Sequence, residues 1–202
     1  MTETREEWLE TFSGCGFCGM LLPEEIEMFI NVGEDKRLPS GHILEIGTNT
    51  GATTAGLSRA NDRRDKEEMV VSLDPYPGKA FSCAVRLLCA ANATLYSKNV
   101  IAMQCSLEQL QKVFGNRRVF RMIFIDGDHS YDASKKDYEL AKEMLVPNGI
   151  IIFHDTTNEI YGVKDLWNEL TKTLPIQMEN GEIRISEEYP ATGTCKILRW
   201  YV

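Results

Sequence analysis

The stretch of sequence that decides the fold is Leu44-Glu45-Ile46-Gly47-Thr48-Asn49-Thr50-Gly51. The apolar run over residues 43–46 predicts a short buried strand, which ends in a loop with two glycines four residues apart. A helix-like segment follows the second glycine. Glycines let a backbone approach a bound molecule closely, and the N-terminus of a helix offers free N–H groups. The pattern therefore predicts that a nucleotide-like cofactor binds at this loop.

Two common nucleotide-binding patterns do not fit the loop. A phosphate-binding loop of the Gly-x-x-x-x-Gly-Lys-Ser/Thr type needs a lysine, and none follows Gly51. A dinucleotide fingerprint needs Gly-x-Gly, but the residue two positions after Gly47 is Asn49. What remains is Glu-x-Gly-x-x-x-Gly, which resembles the first motif of Rossmann-like methyltransferases that use S-adenosylmethionine (SAM). The alternative is an ordinary strand-to-helix turn with convenient glycines.

Composition restricts the class of protein. A chain of 202 residues with 43% hydrophobic content is typical of one globular domain with a sizeable core. The formal net charge of −8 disfavours nucleic acid as the main partner, since phosphate binding needs a basic surface. No apolar run is long enough for a membrane helix, and the first ten residues are too acidic and polar for a signal peptide. We therefore expect a cytoplasmic protein with reduced cysteines, in which Cys15 and Cys18 are small residues of a turn.

Strand and helix patterns alternate along the chain. Five strand–helix units, with a turn at Pro147-Asn148-Gly149 before the fifth strand, are followed by a hairpin turn at Asn180-Gly181 and a last apolar strand. This order predicts an α/β fold: a Rossmann-like doubly wound seven-stranded sheet with an antiparallel C-terminal edge and helices on both faces. Residues 1–35 are predicted to form an N-terminal helical cap, and residues 36–202 the main domain. The predicted strands of the five units are residues 43–46, 69–73, 100–104, 121–125 and 150–153. The predicted helices of the chain are residues 5–13, 23–32, 52–60, 79–96, 106–113, 133–145 and 162–174.

The five predicted strands should place their carboxyl ends along one edge of the sheet, where ligands of such folds bind. A carboxylate after the second strand, Asp74, can accept hydrogen bonds from both hydroxyls of a ribose. The alternative for Asp74 is an exposed loop aspartate before Pro75. The residues at this edge are Gly47, Thr48, Asn49 and Gly51, then Asp74, then Cys105 and Ser106, then Asp126 to His129, and finally His154 and Asp155.

Acids and histidines concentrate after the fourth and fifth predicted strands. Asp126-Gly127-Asp128-His129 follows the fourth strand and His154-Asp155 follows the fifth. We call these two segments the acidic corners, and two of the three histidines of the chain lie in them. If the two strands are neighbours, these side chains surround one point. Such a set can bind a metal ion or provide a general base near neutral pH. The alternative is that the acids cap helices and hydrogen-bond their own loops.

The same segments carry a resemblance to a known family. The run Phe124-Ile125-Asp126-Gly127-Asp128-His129-Ser130-Tyr131, Asp137 in the following helix and the later Phe153-His154-Asp155-Thr156 are similar to the class I methyltransferase family often labelled family 24. Its members have an Asp-Gly-Asp-His-Ser-Tyr stretch and a later His-Asp pair. The loop motif at residues 44–51 and the segment from Gly19 to Glu25 match as well, so that the resemblance covers residues 19–156.

The resemblance implies SAM as the cofactor. Residues 47–51 would approach its methionine part and ribose, Asp74 would accept the ribose hydroxyls, and Cys105 with Ser106 would lie near adenine. Catechol-type and sugar O-methyltransferases hold a divalent cation at positions that correspond to Asp126, His154 and Asp155. A histidine where catechol-type enzymes have an acid makes manganese, iron or zinc conceivable beside magnesium. The expected cofactor-binding residues are Glu45, Gly47, Thr48, Asn49, Gly51, Asp74, Cys105, Ser106 and Asp126.

The expected activity is SAM-dependent O-methylation of a small hydroxylated metabolite, in which either a bound divalent cation or His129 lowers the cost of removing the hydroxyl proton. His129, Asp126 and Asp128 are the expected catalytic residues. One alternative is a metal-dependent oxygenase or hydrolase that uses His129, His154 and a carboxylate, which would leave the glycine loop without a task. A second alternative is a cofactor-binding protein without catalysis. The apolar last strand could pair across a homodimer.

Overall fold

The computed structural model describes residues 21–49, 51–64, 67–75, 99–115 and 117–202. Several predictions of the sequence lie outside these residues: the helices at 5–13 and 79–96, the turn that contains Cys15 and Cys18, and Thr50 in the glycine loop. None of the helices within the described ranges has the length and apolar character that crossing a membrane requires.

Helices and strands alternate along the described chain as the sequence predicts. Most predicted boundaries differ from the observed ones by one or two residues. The observed elements are α1 (Pro23–Glu34), β1 (His42–Ile46), α2 (Ala52–Asp62), β2 (Val70–Leu73), β3 (Val100–Met103), α3 (Leu107–Phe114), β4 (Phe120–Ile125), α4 (Tyr131–Met144), β5 (Leu145–Phe153), α5 (Gly162–Thr173), β6 (Ile176–Met178), β7 (Gly181–Ile185) and β8 (Lys196–Tyr201).

The described strands form one sheet in the order β3-β2-β1-β4-β5-β8-β7-β6. The first five of these are parallel, whereas β8, β7 and β6 form an antiparallel edge. The chain builds outward from β1 to β3 and then returns to place β4 on the other side of β1. Open parallel sheets bind ligands at such a reversal, outside the carboxyl ends of the strands. The topology therefore places the predicted site between β1 and β4.

Residues of the central strands alternate between two hydrophobic clusters, because neighbouring side chains of a strand point to opposite faces. In β4, Met122 and Phe124 pack with the cluster that contains α1 and α2, while Ile123 and Ile125 pack with the cluster that contains α3, α4 and α5. Strand β5 alternates in the same way. Helices thus cover both faces of the sheet, which confirms the predicted doubly wound architecture.

Two details of the sheet differ from the prediction. The described sheet has eight strands instead of seven, because both arms of the hairpin at Asn180-Gly181 join it. Strand β5 also begins earlier than predicted. The expected turn at residues 147–149 is a bulge inside this strand, since Leu145 pairs with Phe120 while Ile150 pairs with Met122. Asn148, with φ 63°, supplies the left-handed conformation of the bulge.

A buried network of charged side chains joins α1, α2 and β4 at the end of the sheet opposite the site. Nε of Arg121 lies 3.0 Å from Oε2 of Glu68, and Nε of Arg64 lies 3.2 Å from the same oxygen. Arg121 also donates to the carbonyl of Gly33 and to the side chain of Asn61. Burial, followed by the neighbouring Arg64, lowers the pKa of Arg121 to about 10. One carboxylate therefore offsets the charges of two buried guanidinium groups.

This network makes the stability of the protein sensitive to Glu68. We expect Glu68→Gln to lower the free energy of unfolding by about 3 kcal/mol, because two buried cations lose their counter-charge. Urea denaturation followed by circular dichroism measures the change. The exposed neighbour Glu67 provides the matched control, since Glu67→Gln should change stability by less than about 0.5 kcal/mol. Equal effects of the two substitutions would contradict the importance of the network.

Candidate functional site

The pairing register of the central strands places three site residues side by side. Ile46 of β1 pairs with Ile125 of β4, and Ile125 pairs with Phe153 of β5. The residues that follow these three are Gly47, Asp126 and His154. Backbone hydrogen bonds continue past the strand ends, since Asp126 N–H donates to the Ile46 carbonyl and His154 N–H to the Ile125 carbonyl. The two corners predicted from the sequence therefore meet at one edge of the sheet.

The glycine loop turns sharply against the end of β4. Gly47 has φ 102°, Asn49 φ 43° and Gly51 φ 84°, so that three of its described residues adopt the left-handed half of conformational space. A Cβ atom on Gly47 would lie 1.9 Å from the carbonyl oxygen of Asp126. Gly47 is therefore required for both its conformation and its contact with the acidic corner.

Hydrogen bonds attach the loop to β2 on its other side. The N–H groups of Gly47 and Thr48 both donate to the Leu73 carbonyl, at 2.8 and 3.1 Å. Oγ1 of Thr48 lies 2.6 Å from Oγ of Ser72, and the N–H of Asn49 donates to Oδ2 of Asp74 at 3.0 Å. Asp74 is thus brought to the glycine loop, as the sequence predicted.

Glu45 lies beneath the loop and is completely buried. Its Oε2 accepts hydrogen bonds from Thr54 and Ser72, whereas its Oε1 has no hydrogen-bond partner among the described residues. Burial raises the pKa of Glu45 to about 8, although the two hydrogen bonds act in the opposite direction. Glu45 thus supports the loop through Thr54 and Ser72, and its predicted role in cofactor binding stays a prediction.

Four side chains from the two corners form a compact acid–histidine cluster. Nδ1 of His154 lies 3.3 Å from Oδ1 of Asp126 and 3.2 Å from Oδ2 of Asp155. Nε2 of His129 lies 3.6 Å and 3.2 Å from the same two oxygens. Asp155 has φ 58°, a conformation that is uncommon for a residue other than glycine and that concentrates at functional sites. Two carboxylates therefore lie between two imidazole rings.

His129 forms the more open side of this cluster. Its side chain is 35% exposed, compared with 9% for His154. The ring stacks on Tyr161 with centroids 4.3 Å apart and an interplanar angle of 14°, and the carbonyl of His129 accepts a hydrogen bond from Gly162 N–H. Interaction with Asp126 and then with Asp155 raises the pKa of His129 to about 9. The ring is therefore protonated at neutral pH when only these carboxylates face it.

The donor set of Asp126, His154 and Asp155 fits a divalent cation. Each of these residues offers one ligand atom, and the three atoms lie within 4.8 Å of one another. Nδ1 of His154 is buried and has no hydrogen-bond partner among the described residues, although two carboxylate oxygens lie close to it. Two carboxylate oxygens and one imidazole nitrogen suit manganese, iron or zinc as well as magnesium. A cation between the three atoms would give that nitrogen a partner.

The other side of the His154 ring faces a residue that the sequence analysis did not include in the site. Oε2 of Glu25, on α1, lies 3.4 Å from Nε2 of His154. Despite burial, which acts in the opposite direction, hydrogen bonds from His154, Leu22 and Thr194 lower the pKa of Glu25 to about 2. In the sequence, Glu25 has the pattern of an ordinary acid in the first turn of a helix, so no local signal marks it.

Three predicted site residues have structural tasks in the described chain. Oδ1 of Asp128 accepts a hydrogen bond from the N–H of Ser130, which holds the loop before α4. Ser106 caps α3, because its Oγ accepts from the N–H of Gln109. Cys105 precedes this cap and packs, partly buried, against the hydrophobic core. The predicted catalytic role of Asp128 and the predicted adenine contacts of Cys105 and Ser106 stay predictions.

The burial of Glu45 predicts a pH-dependent stability. The pKa of Glu45 is raised in the folded protein, so the stability of the wild type relative to Glu45→Gln should be greatest below pH 4.5 and should fall as the pH rises toward 8. The glutamine keeps an oxygen that can accept from Thr54 and Ser72 but needs no proton. Between pH 5 and pH 8, we expect the free energy of unfolding of the variant to rise relative to that of the wild type by more than about 1.4 kcal/mol, which corresponds to one pKa unit. Urea denaturation measures this change.

Glu108 provides the control for this experiment. A hydrogen bond from Lys136 lowers the pKa of this exposed residue, so its carboxylate is ionised in both the folded and the unfolded chain above pH 6. The difference in stability between the wild type and Glu108→Gln should therefore stay constant from pH 6 to pH 8. A constant difference for Glu45→Gln over the same range would contradict the raised pKa.

Comparison with solved structures agrees with the fold. The O-methyltransferase from Bacillus cereus, in complex with SAH, aligns with a TM-score of 0.65 and 17% identity over 98% of this chain and 90% of its own. The SAH-bound methyltransferase PaMTH1 from Podospora anserina aligns with a TM-score of 0.63 and 17% identity over 97% of this chain and 86% of its own. The O-methyltransferase TomG from Streptomyces achromogenes, in complex with SAM, aligns with a TM-score of 0.62 and 16% identity over 100% of this chain and 92% of its own.

A search of the curated protein sequences finds no match to this chain. The sequence model of the family Methyltransf_24, described as a methyltransferase domain, matches residues 44–156. This segment begins in β1, just before the glycine loop, and ends just after Asp155, so it contains both halves of the site. It is more than half of the chain, and the protein therefore belongs to the Methyltransf_24 family of methyltransferase domains.

Proposed function

We propose that the protein transfers a methyl group from SAM to a hydroxyl group of a small metabolite, with a divalent cation at Asp126, His154 and Asp155. The observation that carries this proposal is the contact between the two halves of the site. The backbone of Gly47 lies against the carbonyl oxygen of Asp126, whose side chain belongs to the acid–histidine cluster. A cofactor on the glycine loop would therefore be adjacent to the groups that can receive an acceptor hydroxyl.

The glycine loop and the end of β2 supply the residues for SAM. Positive φ angles at Gly47, Asn49 and Gly51 curve the backbone, and the carboxylate of Asp74 lies at the same edge, where it can accept from ribose hydroxyls. SAM supplies a sulfonium methyl group that is transferred to a nucleophilic oxygen by in-line displacement. The task of these residues is to hold the donor in one orientation, because much of the acceleration of such a reaction comes from alignment.

The acid–histidine cluster supplies the acceptor side. Asp126, His154 and Asp155 would hold the cation, which supplies Lewis-acid chemistry by lowering the pKa of a coordinated hydroxyl group. His129 lies at the open side of the cluster, and its stacking on Tyr161 fixes the plane of the ring. An acceptor that enters beside His129 would meet both carboxylates and the ring nitrogen. His129 can position the hydroxyl group by hydrogen bonding, and it can take up its proton when the ring is neutral.

The net charge of the protein disfavours a polyanionic acceptor. The chain has a formal net charge of −8. This field opposes the approach of a polyanion such as nucleic acid. A small molecule with a hydroxyl group, such as a catechol or a sugar, is compatible with both the charge and the partly buried position of the cluster.

Calorimetric titration with SAM, before and after treatment with a chelator, tests the proposal. We expect SAM to bind with an affinity in the micromolar range. With a panel of catechols and sugars as acceptors, we expect release of S-adenosylhomocysteine (SAH) at a rate that falls after chelation and returns with Mn²⁺ or Mg²⁺. Binding of Fe²⁺ without any binding of SAM would instead favour the oxygenase alternative. Binding of SAM that no acceptor turns over would favour a protein that binds the cofactor without catalysis.

The glycine loop can be tested by substitution at Gly47. We expect Gly47→Ala to weaken SAM binding at least about tenfold, a loss of about 1.4 kcal/mol, because the added Cβ must push the loop away from Asp126.

Gly115→Ala is the matched control. Gly115 also has a positive φ, 64°, but a Cβ there would have no atom within 4 Å. Gly115→Ala should cost about 1 kcal/mol of stability and leave the SAM affinity unchanged. If Gly47→Ala bound SAM as tightly as the wild type does, the cofactor would not bind at the glycine loop.

The acid–histidine cluster can be tested by turnover. We expect His129→Ala and Asp126→Ala each to lower the rate of SAH release about 100-fold or more, because they remove a proton acceptor and a cation ligand. SAM affinity, measured by calorimetry, should largely survive in both. Asp132→Ala is the control, since Asp132 is an exposed acid in the first turn of α4. Normal turnover in both cluster variants would mean that this site assignment is wrong.

A further inference from the structure

Glu25 contacts His154 from a distant part of the sequence, and its carboxylate is almost completely buried, with 1% exposure. It comes from the first turn of α1, whereas His154 follows β5. Oε2 of Glu25 lies 3.4 Å from Nε2 of His154, on the side of the ring opposite Nδ1. The ring therefore lies between one carboxylate on α1 and the two carboxylates of Asp126 and Asp155.

The carboxylate of Glu25 is held in place by its own hydrogen bonds. Oε1 accepts from the N–H of Thr194 at 2.7 Å and from its hydroxyl group at 2.8 Å, and Oε2 accepts from the N–H of Leu22 at 2.8 Å. The neighbouring Gly193 leaves room for it, because a Cβ there would lie 2.5 Å from Oε1. Glu25 thus has a fixed position, which is what a group that orients another side chain requires.

A direct role of Glu25 as a metal ligand fits these contacts less well. Glu25, His154 and Cys195 offer three ligand atoms within 4.8 Å, so they could form a second metal site. However, both oxygens of Glu25 already accept backbone or hydroxyl hydrogens. A cation there would have to bind Nε2 of His154 in place of the hydrogen that faces Oε2 of Glu25. Nδ1 of His154, in contrast, has no hydrogen-bond partner among the residues that the structure describes.

We propose that Glu25 is a positioning residue for the cation site, an inference that rests on the proposed function. Its Oε2 accepts a hydrogen bond that Nε2–H of His154 donates, and so orients the ring with its Nδ1 lone pair toward Asp126 and Asp155. Histidine ligands of metals generally donate their other N–H to such a partner, which fixes the tautomer and the ring orientation. Phe124 limits rotation of the ring further, since it packs edge-on against His154 at 6.1 Å between centroids.

Affinity for Mn²⁺ alone, measured from the electron paramagnetic resonance signal of the free ion, tests this role without any acceptor. We expect Glu25→Gln to weaken Mn²⁺ binding about 10- to 100-fold, while SAM affinity changes little. A glutamine keeps the shape of the side chain but turns one of the two acceptor oxygens into a donor. Glu24→Gln is the control, because Glu24 is exposed in the same turn of α1. Its Mn²⁺ affinity should equal that of the wild type.

A double-mutant cycle separates positioning from general loosening of the structure. If Glu25 acts through His154, Glu25→Gln should change Mn²⁺ affinity little in a chain that already carries His154→Ala. The same fold-change in both backgrounds would overturn the inference. Equal Mn²⁺ affinity of the wild type and Glu25→Gln would overturn it while leaving the proposed cation site intact, whereas absence of Mn²⁺ binding by the wild type would overturn both.

The wild-type chain provides a second test that does not depend on the folding of a variant. Nitrogen-15 NMR of the histidine side chains with Zn²⁺ identifies which ring nitrogen of His154 binds the metal. We expect Zn²⁺ on Nδ1 and a proton on Nε2. Zn²⁺ on Nε2 would place the metal on the Glu25 side of the ring and would overturn the inference.

Discussion

The site depends on one close contact, between the backbone of Gly47 and the carbonyl oxygen of Asp126. Because β1 and β4 are neighbours in register, the loop after β1 has to pass the corner after β4 with no room for a side chain. The same contact sets the distance between the glycine loop and the acid–histidine cluster. In the proposed methyl transfer, donor and acceptor have to lie in line at van der Waals distance, and a rigid contact between the two proposed binding regions would serve this reaction.

Charge is arranged differently at the two ends of the sheet. At the carboxyl end, carboxylates outnumber the imidazole rings that face them, since Glu25, Asp126 and Asp155 surround His154. At the opposite end, two buried arginines share Glu68 and donate further hydrogen bonds to carbonyl groups. Both arrangements leave buried nitrogens without a hydrogen-bond partner among the described residues: Nδ1 of His154 at the carboxyl end, and Nε of Arg64 with Nη1 of Arg121 at the opposite end. The two ends differ in their donor sets, since Asp126, His154 and Asp155 bring two carboxylate oxygens and one imidazole nitrogen close enough together to hold a metal ion.

Local patterns predicted most of the described elements because each one depends on neighbours in the sequence. A continuous apolar run marked β4, Ser106 marked the start of α3, and Asn180-Gly181 marked the hairpin. The failures have a different cause. The bulge in β5 looked like a turn because Pro147-Asn148-Gly149 has the composition of one, and only the pairing of Leu145 with Phe120 makes it part of the strand. The eighth strand depends on pairing between β6 and β7, which three residues alone do not specify.

The sequence by itself determined the family, the alternation of strands and helices, and the residue types at the carboxyl ends of the strands. It also predicted that Asp126, Asp128, His129, His154 and Asp155 would meet, because the ends of neighbouring parallel strands share one edge. Of these, Asp128 instead holds the loop before α4. Tertiary structure alone decided that Glu45 lies buried beneath its loop and that Glu25 faces His154. The physical reason is that these contacts join segments far apart in the chain, and their geometry depends on how α1 and the segment before β8 pack around the sheet.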